Sequence, residues 1–158
     1  MNTKIKAVTL LFAVALMAVA CNKTQSTSNR FIKAGEWKVT ELSVDGTNAD
    51  ELPHWEIEDC EIYDESCHAE WANDEGGHAE FVWQFRDSGD TFEISRQAGE
   101  HDGHDHGHDH AEEEAIAQCY SFSGVYEVKE RKKDMMEFTS TATLGNPGST
   151  VVIKIEKM

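Results

Sequence analysis

The sequence predicts an all-β domain: about eight antiparallel strands, linked by hairpins, closing into an up-and-down barrel. Three observations predict it. Apolar and polar residues alternate in short runs, the period of a strand with one buried face. Clusters of Gly, Asn, Asp and Pro, the chemistry of tight turns, separate those runs. No convincing helical stripe competes with them. Closure removes the exposed edges of eight hairpin-linked strands most simply, and a two-sheet sandwich is the alternative.

In the first strand Trp37 and Val39, then Leu42 and Val44, alternate with one slip of phase, which predicts a bulge before a turn at Asp45-Gly46. Pro53 closes a loop. Trp55 and Ile57 open a second run reaching Ile62, and a turn at Tyr63-Asp64 leads to a third with Ala69 and Trp71. Asn73-Asp74-Glu75-Gly76-Gly77 is a turn by composition. Phe81, Trp83 and Phe85 face inward from a fourth strand, Ser88-Gly89-Asp90 reverses it, and Phe92 and Ile94 carry a fifth. An insertion of residues 98–114 follows. Tyr120, Phe122, Gly124, Tyr126 and Val128 share one face of a sixth strand. Lys132-Lys133-Asp134 turns into a seventh, where Met136, Phe138, Ser140, Ala142 and Leu144 alternate. Gly145-Asn146-Pro147-Gly148 is the last hairpin, before Val151, Ile153 and Ile155. The aromatic faces of these strands are either plain core or the lining of a cavity for a small apolar ligand, since eight-stranded barrels do both.

The insertion carries the most unusual composition in the chain. Residues 101–110 read His-Asp-Gly-His-Asp-His-Gly-His-Asp-His, holding five of the eight histidines and no apolar residue. A packed core has no use for such a segment. Neutral imidazole is the commonest side-chain ligand of zinc, copper(II) and nickel, and interleaved carboxylates either ligate or hold a ring N–H. The candidate metal ligands are therefore His101, His104, His106, His108 and His110, with Asp102, Asp105 and Asp109. The implied group is zinc or another divalent transition metal, copper or nickel included, and it is not catalytic. Binding through imidazoles weakens as pH falls through about 6.5, where they take up protons. A calcium EF-hand is disfavoured by the spacing of the oxygen ligands.

Charge narrows the partners. The chain carries a net charge of −16 yet is 39% hydrophobic, which indicates a folded domain with an acidic surface and not a disordered polyanion. Such a surface excludes nucleic acid, is repelled by anionic membranes and attracts cations or basic proteins. Residues 50–80 alone hold twelve carboxylates and no Lys or Arg, with His54, His68 and His78 among them. Alternation puts most of these on solvent faces of strands. We assign them no catalytic role, although His68 or His78 would complete a metal site if the fold carried them beneath the insertion. No arrangement of nucleophile, base and oxyanion donors is evident, so the catalytic set is empty and an enzyme is the least favoured class.

The cysteines beyond position 21 are Cys60, Cys67 and Cys119. A two-residue turn at Tyr63-Asp64 places Cys60 opposite Cys67 across a hairpin, whereas Cys119 opens the sixth strand at the other end of the barrel. This favours a Cys60–Cys67 disulfide in an oxidising compartment, with Cys119 buried or free.

The N-terminus supplies that compartment. Lys4 and Lys6 precede an apolar run from Ala7 to Ala20 that is shorter than the roughly 18 residues a spanning helix needs, so residues 1–20 read as a signal peptide. The break Ala18-Val19-Ala20-Cys21 resembles the lipobox of bacterial lipoproteins, with Ala18 at the place of the usual leucine. The resemblance implies lipidation of Cys21 and anchoring to the outer membrane by lipid alone. Acidic residues do not follow the cysteine, and by the same resemblance this points to the periplasmic side. Residues 21–30 then read as lipidated cysteine and flexible tether, leaving a domain of residues 31–158. Gly35-Glu36-Trp37 at the start of that domain resembles the Gly-x-Trp signature of lipocalins, and the hairpin series resembles small lipocalin-like domains of envelope lipoproteins.

Overall fold

Each strand of the barrel pairs antiparallel with its neighbour in the chain, and the last returns to the first. The computed structural model describes residues 23–58, 60, 67–96 and 110–158. The expected signal peptide of residues 1–20, Cys21, the expected Tyr63-Asp64 turn, Asp59 and residues 97–109 lie outside them. The barrel strands are β1 (Glu36–Val44), β3 (His54–Ile57), β4 (Cys67–Ala72), β5 (His78–Arg86), β6 (Thr91–Ser95), β7 (Gly124–Arg131), β8 (Met135–Ala142) and β9 (Pro147–Lys157), while β2 (Thr47–Asn48) only folds back on the end of β1. The ring closes through β1–β9, from Trp37 opposite Lys157 to Val44 opposite Val151. Eight strands closed in this way are the predicted barrel.

Local chemistry accounts for most of it. The phase slip in β1 is a register shift between Val39 and Glu41, which turns Trp37, Val39 and Leu42 all inward. Asp45 and Gly46 take φ of 51° and 81°, the two left-handed residues of a hairpin turn that matches the twist of its strands. At the β4–β5 turn the Asn73 carboxamide oxygen accepts from the amides of Glu75 and Gly77, at 3.2 and 2.7 Å. Alternation holds in β5, where Phe81, Trp83 and Phe85 are buried, and in β8, where Met136, Phe138 and Ser140 are. It fails at Ala142 and Leu144, both exposed, because the β8–β9 ladder shifts register between Ser140 and Ala142.

Two helices correct the all-strand reading. Residues 23–34 form α1, so 23–30 are helical instead of tether. Its Phe31 is fully buried and meets the rings of Trp37, Trp55, Trp83, Phe85 and Phe92, while its carbonyl accepts from Trp37 Nε1 at 3.1 Å. Ile32 and Ala34 pack against the same core and Thr27 is buried, so the anchor of this mostly polar helix is concentrated in its last turn. The second, α2 (His110–Phe122), takes in the last part of the predicted insertion and the start of the predicted sixth strand, which begins at Gly124. Cys119 therefore sits on a helix, buried with Ala111, Ala115 and Phe122, and Tyr120 points to solvent.

The helices close opposite ends of the barrel. α1 lies at the end bearing the β5–β6 and β7–β8 turns: Arg30 Nη1 donates to the carbonyls of Arg131 and Lys132, and Thr27 lies against Gly89. α2 lies at the end bearing the β4–β5 and β8–β9 turns. A Cβ on Gly77 would fall 2.0 Å from the Ala111 carbonyl oxygen, so only glycine lets the helix approach there. Gln118 bridges this end, accepting from Trp71 Nε1 at 2.8 Å and donating to the Glu51 carbonyl at 3.2 Å. Between the two closures the interior is a stack of rings in mutual contact, Trp55, Phe92 and Phe138 at its centre.

Candidate metal site on the barrel wall

The described residues bring one histidine and two carboxylates together on the outer wall. His68 is the second residue of β4 and points outward, opposite Val82 of β5; Glu80 is two residues away on β5, a diagonal neighbour. Glu58 follows β3 and continues the ladder, its amide donating to the His68 carbonyl at 3.3 Å. The Glu58, His68 and Glu80 ligand atoms all lie within 4.8 Å of one another. His68 Nδ1 is already in contact with the Glu80 carboxylate.

The backbone beneath this cluster is held from two sides. The His68 carbonyl accepts not only from Glu58 but also from Trp83 Nε1 at 3.3 Å. The Cys60–Cys67 disulfide predicted from the sequence is present, with Cα atoms 5.0 Å apart. It ties the chain two residues beyond Glu58 to the residue immediately before His68, which limits the separation of the two ligand-bearing segments. The side chains remain accessible: His68 and Glu80 are 44% and 64% exposed.

The neighbouring charges favour a cation. Ladder register aligns Glu36 with Glu56, Glu56 with Glu70, and Glu70 with Glu80, a row of four carboxylates across adjacent strands. Like charges placed directly opposite repel, and a bound cation relieves that repulsion. One imidazole and two carboxylates are a nitrogen and oxygen donor set suited to a divalent transition metal with open positions for water. Adjacent ligands of zinc are closer than the present spread, roughly 3.4 Å apart for bonds near 2.1 Å, and the exposed Glu58 has the freedom to swing in.

No known family model, curated protein or solved structure matches this chain. The wall site therefore stands on its own geometry.

Of the ligands expected from sequence, His101, Asp102, His104, Asp105, His106, His108 and Asp109 lie outside the described residues, as does Cys21. His110 is the exposed first residue of α2. The anchor points of the intervening segment are described. Ser95, near its start, pairs with Val82 of β5; Ala111, at its end, accepts from Asn73 Nδ2 at 2.9 Å at the β4–β5 turn. Both ends of the histidine-bearing segment are thus fixed beside the stretch of β5 that carries Glu80. His78 and His54 are outside the cluster, and His54 Nε2 instead contacts Glu56 at 3.2 Å. Sequence reading placed His68 and Glu80 on the solvent face correctly but did not join them to Glu58.

Cys119 offers no ligand to this wall. It is fully buried at the α2 end, and that burial pushes its thiol up to about 12.

Proposed function

We propose that the protein is a lipid-anchored envelope lipoprotein of lipocalin-like build that binds a divalent transition metal, zinc first among them. The carrying observation is the convergence of Glu58, His68 and Glu80 beside the roots of the histidine-rich segment. The wall supplies a fixed set of one imidazole and two carboxylates. The imidazoles and carboxylates of His101 to His110 supply further ligands of the same class, so that ion capture, buffering or delivery is the role. The anchor is Cys21, at the periplasmic side of the outer membrane.

The rival reading, an apolar ligand carried inside the barrel, has less support. Phe31 and Trp55 are fully buried in the interior, each in contact with several other rings, and α1 and α2 cover the two ends.

Calorimetric titration with zinc, copper(II) and nickel tests the proposal on three chains: wild type, His68→Ala with Glu80→Gln, and a deletion of residues 101–110. Micromolar or tighter zinc binding by wild type, weakened in both altered chains, is the expected result. Binding untouched by the wall substitutions but lost with the deletion confines the function to the segment. Equal titration of all three chains, or no binding, overturns it.

A further inference from the structure

In a chain of net charge −16, a groove at the end of the barrel closed by α1 is lined mainly by basic side chains. Arg30, Lys33, Lys133 and Lys157 line a groove of about 480 Å³ between α1 and the β7–β8 turn, with Asp134 as the one carboxylate in it. Among the described residues, none of these four basic side chains has an ion-pair partner, whereas Arg86, Lys129, Arg131, Lys132 and Lys154 each do. Backbone contacts fix the groove: Arg30 donates to the Arg131 and Lys132 carbonyls, and the Lys157 amide to the Asp134 carbonyl at 2.9 Å. The opposite shoulder of the barrel has the reverse charge. There Glu114, with Glu75, Asp74 and Asp50, holds the Glu51 carboxyl above its ordinary value.

The basic end is also the end from which the chain runs back to Cys21. Helix α1 is already formed at residue 23, so one residue, Asn22, separates it from the proposed lipidation site. A one-residue link spans roughly 3.5 Å, against about 30 Å for the tether the composition suggests. The α1 end therefore meets the bilayer surface directly. At the same end Asp90 and Glu130 are paired with Arg131 and Lys132, and acidic side chains on the far shoulder are screened from that surface beyond a Debye length of about 8–10 Å.

We propose that the α1 end of the barrel is a membrane-docking surface that binds anionic lipid headgroups through Lys33, Lys133, Lys157 and Arg30. The orientation that results presents the acidic shoulder and α2 away from the bilayer. The approach to the membrane rests on the lipoprotein reading above; the headgroup contact does not need it.

The test uses the unlipidated chain from Asn22 to Met158, which retains every buried core residue from Phe31 to Ile155. Its sedimentation is measured with vesicles of phosphatidylcholine alone and of phosphatidylcholine with phosphatidylglycerol. Binding to the anionic vesicles only, falling with added salt, is the expected result. Reversing three exposed lysines (Lys33→Glu, Lys133→Glu, Lys157→Glu) lowers the affinity on the order of a hundredfold, at about fivefold for each charge removed near an anionic surface and more on reversal. Lys38→Glu, exposed beside Asp50 and Glu51, makes the same change in net charge as any one of them and leaves binding intact. Equal partition to both vesicles, no binding, or an unaffected triple variant overturns the proposal. Displacement by millimolar inorganic phosphate also overturns it, because the groove then takes a free anion. Lipidation is read separately, from the mass of the N-terminal peptide in wild type and Cys21→Ser, so the two readings fail independently.

Discussion

Each end of the barrel is closed by a helix, but the two closures use different side chains and sit in opposite fields. At the α1 end a single ring, Phe31, enters the interior and meets five others, and the groove beside the helix is lined mainly by basic side chains. At the α2 end the contact is spread over Ala111, Ala115, Cys119 and Phe122, helped by Gln118 and Asn73, and the surface is acidic. The difference teaches that the closure of a barrel and the charge of its end are set separately. A polar helix suffices where one large side chain fills the opening, whereas a helix of small residues needs close backbone approach, and Gly77 provides it.

The sharpest way to break this contrast is to remove the two rings. Phe31→Ala is expected to destabilise the domain by about 3–5 kcal/mol, the range for a fully buried aromatic ring. Phe122→Ala is expected to cost less, because among the described residues Phe122 stacks on Trp71 alone, and it is slightly exposed where Phe31 is not. Urea unfolding of both variants decides; equal losses mean that α1 is not the more concentrated closure.

Opening the disulfide ranks next. Replacing Cys60 and Cys67 by serine releases a short loop, worth about 2–3 kcal/mol by chain entropy, and loosens the spacing between Glu58 and His68. Thermal unfolding reads the first effect and zinc titration the second; a full stability loss with unchanged zinc affinity would separate the disulfide from the site. Gly77→Ala belongs in a similar range, about 1–3 kcal/mol, since the Ala111 carbonyl must move. Hydrogen exchange after that change should rise in α2 and stay level in α1.

Chemical reactivity sharpens the same map without changing stability. Burial pushes the Cys119 thiol up to about 12, so at pH 8 the folded protein should resist alkylation there and react only in denaturant. Rapid native labelling would mean that α2 opens readily.

The smallest effects concern surface carboxylates, and they run in opposite directions. Glu41 is held below its ordinary value first by its hydrogen bond to Lys154, so its contribution to stability is present at neutral pH and lost as pH falls through the carboxylate range. For an exposed pair of this kind it stays below about 1 kcal/mol. Glu51 is raised by Glu114 and its acidic neighbours, so its repulsion is relieved at low pH and grows as pH rises through its elevated value. Lys154→Met should lower the melting temperature at pH 7 and have little effect near pH 3, whereas Glu51→Gln should raise it at pH 7. The same sign for both would remove the electrostatic contrast between these positions.

Much of this protein is determined by local sequence. Period-two alternation fixes the inward faces of β1, β5, β6 and β9, because a strand has only two faces and one of them is buried. The Asp45-Gly46 and Asn73–Gly77 turns follow from residues that tolerate left-handed backbone or accept their own amides, and short separation brought Cys60 to Cys67. The helices were not legible in that way. Around α2, alternation of Tyr120, Phe122, Gly124 and Tyr126 imitates a strand, while the buried Ala111, Ala115, Cys119 and Phe122 follow helical spacing through small residues that carry little hydrophobic signal. In α1 the inward-packing residues, Phe31 with Ile32 and Ala34, all lie in the last turn, and their effect depends on an open barrel end to receive them. The wall site has the same origin. His68 and Glu80 are written on the same face, but their diagonal contact needs the register set by the Asn73 turn, and Glu58 joins them only because β3 pairs with β4. Side-chain identity is a property of the sequence, whereas the distance between residues on separate strands exists only once hydrogen-bonded register has fixed it.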